Sequence, residues 1–153
     1  MEVITLVGPE SCRGASHVVK ITYADLSGTA ATTKTMPILP GASGNLPEGT
    51  LVRCLGHRVV TAFVGASITA LTLQVGDGGD TDRLCTAALD DLLTVGTTAV
   101  PASVTTQPYS FAADDTVDAL FTATGANLSA LTAGEVHIFL QAKDLKEFSA
   151  VPR

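Results

Sequence analysis

At 153 residues the chain has the length of one domain, and its 46% hydrophobic and 16% charged content is wrong for a disordered segment. No apolar run approaches the roughly 18–20 residues a membrane-crossing helix needs. The net charge of −6 comes without the basic stripe that would displace counterions from a nucleic acid, so neither a membrane nor a nucleic acid is an expected partner.

The apolar residues are of one kind. There are 15 Val, 5 Ile and 21 Thr beside 21 Ala, with no Trp. β-Branched side chains are stiff at χ1 and suit a pleated surface, so this composition predicts an all-β chain with a core of small aliphatics. The opening MEVITLVGPESCRG carries an acid at position 2 and a short apolar run broken by Thr5, unlike a signal peptide. Cys12, Cys54 and Cys85 are odd in number and widely spaced, which predicts reduced, packed thiols in a protein made in a cytoplasm. Charge is uneven: residues 1–60 are net +1 and residues 61–153 net −7. Few charges on so apolar a chain imply that part of its surface is covered by other copies or by a larger assembly.

In chain order, residues 1–14 read as an arm. His17–Tyr23 (HVVKITY) alternates as a strand, ADLSG is a loop, and Thr32–Ile38 (TTKTMPI) is a second strand with Pro37 near its end. LPGASGNLPEG is a loop. Thr50–Phe63 (TLVRCLGHRVVTAF) is too long for one flat strand, and Gly56 is expected to bulge or split it. Ile68–Val75 places Leu71, Leu73 and Val75 on one face. Residues 83–96 (RLCTAALDDLLTVG) are the one expected helix, with Leu84, Ala87, Ala88 and Leu92 near a helical stripe. Thr97–Ser110 reads as extended edge segments. Thr116–Thr124 (TVDALFTAT) points Val117, Ala119, Phe121 and Ala123 inward, and Glu135–Lys143 (EVHIFLQAK) is the last strand after the turn region LSALTAG. Short strands with irregular connections predict an antiparallel β-sandwich of jelly-roll or Greek-key type, with one short helix and extended terminal arms. The expected organisation is an N-terminal arm over 1–14, the sandwich over 15–144 and a C-terminal arm over 145–153. Val3, Ile4, Leu6 and Val7 in one arm, and Leu145, Phe148 and Val151 in the other, are the candidate assembly contacts. The alternative is that the arms add edge strands to their own sheet.

The motifs are sparse. VGDGGDTD could offer Asp77, Asp80 and Asp82 to calcium, but it follows neither the EF-hand order nor a β-helix repeat. Turn dipeptides and an aspartate capping the next helix are the preferred account. Cys54 stands three residues from His57, without the second ligand pair of a zinc site, while His17 and His137 lie on other strands. There is no G-x-S-x-G elbow and no phosphate loop. A trimeric dUTP pyrophosphatase should end in a glycine-rich arm, and no glycine follows Gly134. ADDTVD (Asp114, Asp115, Asp118) is a turn whose summed charge, with the 77–82 loop, would make an acidic surface. No enzyme, no cofactor and no metal is expected.

TALTLQVGDGGDTDRL, and later PYSFAADDTVDALFTATGANLSALTAGEVHIFLQ, resemble stretches of small structural proteins of tailed bacteriophages, over roughly His17 to Asp144. Such proteins are similar to β-sandwich cement or decoration proteins of phage heads. The resemblance implies a viral structural protein on the outer capsid surface of the virion, made in the host cytoplasm. It would bridge capsomers through contacts to the major capsid protein, as a homo-oligomeric dimer or trimer. The alternatives are a head- or tail-fibre module binding a host receptor and, more remotely, a trimeric nucleotide hydrolase.

Overall fold

The computed structural model describes residues 1–6, 14–40, 44–86, 91–99 and 107–144. In chain order the elements are β1 (Glu2–Thr5), β2 (His17–Thr22), α1 (Tyr23–Ser27), β3 (Thr33–Leu39), β4 (Thr50–Gly65), β5 (Ala70–Gly76), β6 (Gly96–Ala99), β7 (Tyr109–Ser110), β8 (Val117–Thr124), a 3-10 turn (Leu128–Ala130) and β9 (Leu131–Asp144). Every strand pairing is antiparallel. The larger sheet runs β1-β2-β9-β4-β6, with β7 also on β4, and the smaller runs β3-β8-β5. The fold is an all-β sandwich, as the composition predicts.

The alternation explains the layers. Val19 and Ile21 of β2, Leu71, Leu73 and Val75 of β5, Val117, Ala119 and Phe121 of β8, and Val136, Ile138 and Leu140 of β9 are all buried in one core between the sheets. Phe63, Phe111 and Phe121 fill the space that small aliphatics leave. β3 is an edge strand, and its register shifts between Pro37 and Leu39, where proline has no ladder donor to offer. β4 is not split. It runs 16 residues without interruption, and Gly56, at φ +139°, marks a register shift against β9 between Cys54 and Gly56.

Two expectations need correction. Arg83–Thr86 and Asp91–Val95 are not helical, and positions 87–90 fall outside the described residues. Cys85 instead bridges Val75, and the Leu92 amide donates to Leu71 O at 3.0 Å, so both ends of this segment lie along the free edge of β5. The helix of the described chain is α1, in the stretch read as a loop. The Thr22 amide and hydroxyl both donate to Asp25 Oδ2 at 2.8 Å, which fixes a first turn, and Leu26 closes the end of the core.

The first arm lies as β1 on the outer edge of β2, with Val3 opposite Val19. Val3 packs on the core, Ile4 faces outward, and the Leu6 amide donates to Ser16 O at 2.8 Å. Val7, Leu145, Phe148 and Val151 lie outside the described residues. The Met1 amino group pairs with Asp25. Burial alone would raise the Asp25 carboxyl, but hydrogen bonds from this amine and from Thr22 hold it below the ordinary aspartate value. A depressed folded-state pKa adds stability above the unfolded value and loses it as pH falls through the folded one. Asp25→Asn should therefore cost about 1 kcal/mol at neutral pH, and the difference from wild type should close on acidification below the ordinary carboxylate range. Thermal melts across pH would show it; a gap that persists in acid would mean the carboxylate charge is not the cause.

Candidate assembly surfaces

Three surface features stand out, and each grows from the strands beneath it. The first is the loop after β5. Gly76 must be glycine: a Cβ there would sit 2.0 Å from Asp80 O. That close approach lets the chain double back, and Asp77 closes the turn. Its amide donates to Asp80 O at 2.9 Å, and its Oδ1 accepts the amides of Gly79 and Asp80 at 2.9 and 2.8 Å. Arg83 Nε donates to Asp77 Oδ2 at 2.5 Å, and the guanidinium lies 4.3 Å from the Tyr109 ring centre. Tyr109 meets Phe111 edge to face at 5.4 Å. Nearby, Gln107 accepts from the Cys54 amide at 2.7 Å and donates to Leu84 O at 2.6 Å. The loop of the smaller sheet is thus tied to β7 and β4 of the larger one.

The sequence account of this loop as a turn holds, while the capping role does not, since no helix begins at Leu84. Asp77 is buried and spends both carboxylate oxygens on protein donors. Asp80 and Asp82 remain at the surface, close enough that the hydrogen bond to Asp80, burial and repulsion by Asp80 push the Asp82 carboxyl up. The second acidic stretch lies alongside. A Cβ on Gly78 would be 3.7 Å from Asp115 Oδ1, and Asp114 Oδ1 accepts the Glu48 amide at 2.8 Å. The two stretches therefore form one acidic end of the sandwich. Among the described residues no group of three or more His, Cys, Asp or Glu could hold a metal ion.

The histidines do not converge. His17 Nδ1 meets Ser16 Oγ at 2.8 Å, and burial lowers its pKa. His57 and Cys54 are both buried. His137 sits on the outward face, 2.9 Å from Glu135 Oε1. Lys20 Nζ reaches the other oxygen of Glu135 at 3.2 Å. Burial would raise Glu135, and these two partners bring it below its ordinary value.

This network belongs to the second feature, the outward face of the larger sheet. Register places Glu2, Lys20, His137 and Arg58 in one row across β1, β2, β9 and β4, and Ile4, Val18, Phe139 and Gly56 in the next. Arg53, paired with Gln141, stands on the far side of the apolar row. The third feature is the far end of β4, beyond its pairing with β6. Val60, Val64 and Val95 are 37%, 55% and 60% exposed, unusual for valines on so small a surface. Neither follows from the local pattern: the row depends on the register of four strands, and β4 shifts register on both sides of Thr61.

No protein-family model, no curated protein and no solved structure matches this chain.

Proposed function

We propose that this chain is a non-catalytic assembly protein: a cement or decoration protein that stabilises a bacteriophage head by bridging capsomers from the outer surface. The observation that carries the reading is the exposure of three valines, Val60 and Val64 on the far half of β4 and Val95 beside the start of its partner β6. Apolar surface exposed along a strand suits a contact made by burial rather than by chemistry. The loop after β5 supports it, since Asp77, Arg83 and Gln107 pin that loop to the larger sheet. The bacteriophage-like stretches supply the kind of particle. Partners are the major capsid protein and further copies of the chain.

The test is binding to capsids that lack the protein. Wild type should bind and raise the temperature at which particles break open. Val64→Lys, at an exposed site, should leave the melting temperature of the free protein unchanged and weaken capsid binding at least tenfold. Capsids that neither bind wild type nor gain heat resistance from it would overturn the reading.

A further inference from the structure

The surface charges of this chain are sorted by place. One end of the sandwich carries Glu48, Asp80, Asp82, Asp114, Asp115 and Asp118, with Asp77 neutralised by Arg83, which also comes within 3.9 Å of Asp80 Oδ2. The outward face of the larger sheet carries Lys20, Arg53 and Arg58 with His137, and two acids among them: Glu2, opposite Lys20, and Glu135, between Lys20 and His137. Lys20 and His137 are both engaged by Glu135, whereas Arg53 and Arg58 are exposed and make no ion pair with a described residue.

Arg53, three residues from the start of β4, is roughly 10 Å from the acidic end, while Arg58 lies too far along the strand to be neutralised by it. Thr50, at the start of β4, lies at the acidic end, where its amide neighbour Gly49 donates to Phe111 O and Leu46 pairs with Asp115. Arg58 is eight residues further along β4, roughly 26 Å at the usual strand rise. That is about three Debye lengths at physiological salt, so the acids do little to screen it. Between the basic row and Arg53 runs the apolar row Ile4, Val18 and Phe139, of which Ile4 is 42% exposed. A flat apolar strip flanked by free cations has the make-up of an interface: apolar contact in the middle, charge at the rim.

We propose that the outward face of the larger sheet, centred on Arg58 and Phe139, receives the acidic end of a second copy of this chain, carried by Asp80, Asp82 and Asp114, in a head-to-tail contact. The complementary patches lie on different parts of one molecule, so the contact is heterologous and leaves each copy with one used and one free patch. Repetition closes into a ring if the rotation between copies allows it. An incoming guanidinium also relieves the repulsion between Asp80 and Asp82. The face is roughly 20 Å on a side, at the low end of what a specific contact buries. Association in solution should therefore be weak and salt-sensitive, and become effective where copies are held close together. The proposal deepens the assembly reading and rests on it only in taking the chain to work as several copies.

The experiment needs no capsid, so its failure would leave capsid binding untouched. Sedimentation velocity of wild type, at low salt and over a wide concentration range, should show reversible association that weakens at least tenfold at physiological salt. Arg53→Glu/Arg58→Glu breaks the face, and Asp82→Lys/Asp114→Lys breaks the acidic end. Each variant alone should stay monomeric with an unchanged circular dichroism spectrum. Mixed in equal amounts they should associate again, the intact end of one on the intact face of the other and the two reversed patches on each other. Arg58→Gln, which removes charge with little change of shape, should weaken association without lowering the melting temperature. A wild type that is monomeric throughout, variants that associate like wild type, or a mixture that stays monomeric would each overturn the proposal.

Discussion

Replacing Asp77 with alanine is expected to destabilise the protein by roughly 3 kcal/mol, because it strips a buried ion pair of one partner. Four donors converge on this carboxylate: the amides of Gly79 and Asp80, and two nitrogens of Arg83. Its side chain is only 4% exposed, while that of Arg83 keeps 22%, which places the cost at the lower end of the range for a broken buried pair. Arg83→Ala should cost nearly as much, since it leaves the Asp77 charge buried and also removes the guanidinium from the Tyr109 ring. Arg83→Lys should recover only part of the loss, for an ammonium offers neither the fork nor the flat stacking surface. The double replacement should cost clearly less than the two singles added, the signature of coupling. Urea denaturation of the four proteins measures all of this. An Arg83→Ala cost below about 1 kcal/mol would mean that the pair behaves as an ordinary surface bridge and does not hold the two sheets together.

The second large effect belongs to Gly134, near the start of β9. Its φ is +138°, and a Cβ would lie 2.2 Å from Phe63 Cδ1 and 2.8 Å from Phe63 Cα. Phe63 is itself buried, with its own backbone so close to Gly134 that a rotation of the ring alone gives no relief. Gly134→Ala combines overpacking with backbone strain and should cost roughly 3–5 kcal/mol. At this chain length that is a fall of roughly 6–20 °C in melting temperature. Phe63→Ala opens the space and carries a cavity penalty of its own. In that background Gly134→Ala should cost less, keeping only the part set by its φ and by the Phe63 Cα. Equal costs in both backgrounds would place the penalty in the backbone and acquit the ring.

Much of the sandwich is legible in the sequence for a simple reason. Where inward residues recur at every second position, as in Val19 and Ile21 or Val117, Ala119 and Phe121, burial follows directly from the pleat. The misplaced helix shows where this fails. Leu84 and Leu92 fall near a helical stripe, and both are indeed buried, but from extended chain laid beside β5. Two residues eight apart do not tell a helix face from two separate contacts with one edge. α1 spans five residues, too few for any period to register. Its one signal is local: Thr22 followed three residues later by Asp25, a capping pair. Gly134 closes the stretch LSALTAG expected to turn, yet glycine serves equally where another strand comes close, as Phe63 does here.

The candidate surfaces divide in the same way. That Asp77 makes a turn is written in its neighbours. That Arg83 then lies on Tyr109, twenty-six positions away, depends on how the two sheets pack. The row from Glu2 through Lys20 and His137 to Arg58 exists only once the register of four strands is known, and nothing local in the chain specifies it.

The chain changes sheet at nearly every connection: β2 to β3, β3 to β4, β4 to β5, β5 to β6, β7 to β8 and β8 to β9. No two successive strands after β2 therefore pair as a simple hairpin, and β9, at the heart of the larger sheet, joins β2 to β4. This has a consequence for birth as well as for shape. On the ribosome, β2 and β4 emerge as open edges and wait for a neighbour that is synthesised more than sixty residues after β4 ends. Long-range pairing of this kind slows folding, and the waiting edges are where nascent chains would find each other first. A chain cut short between residues 66 and 131 should accordingly aggregate, while the full 153 residues should be released as a folded domain.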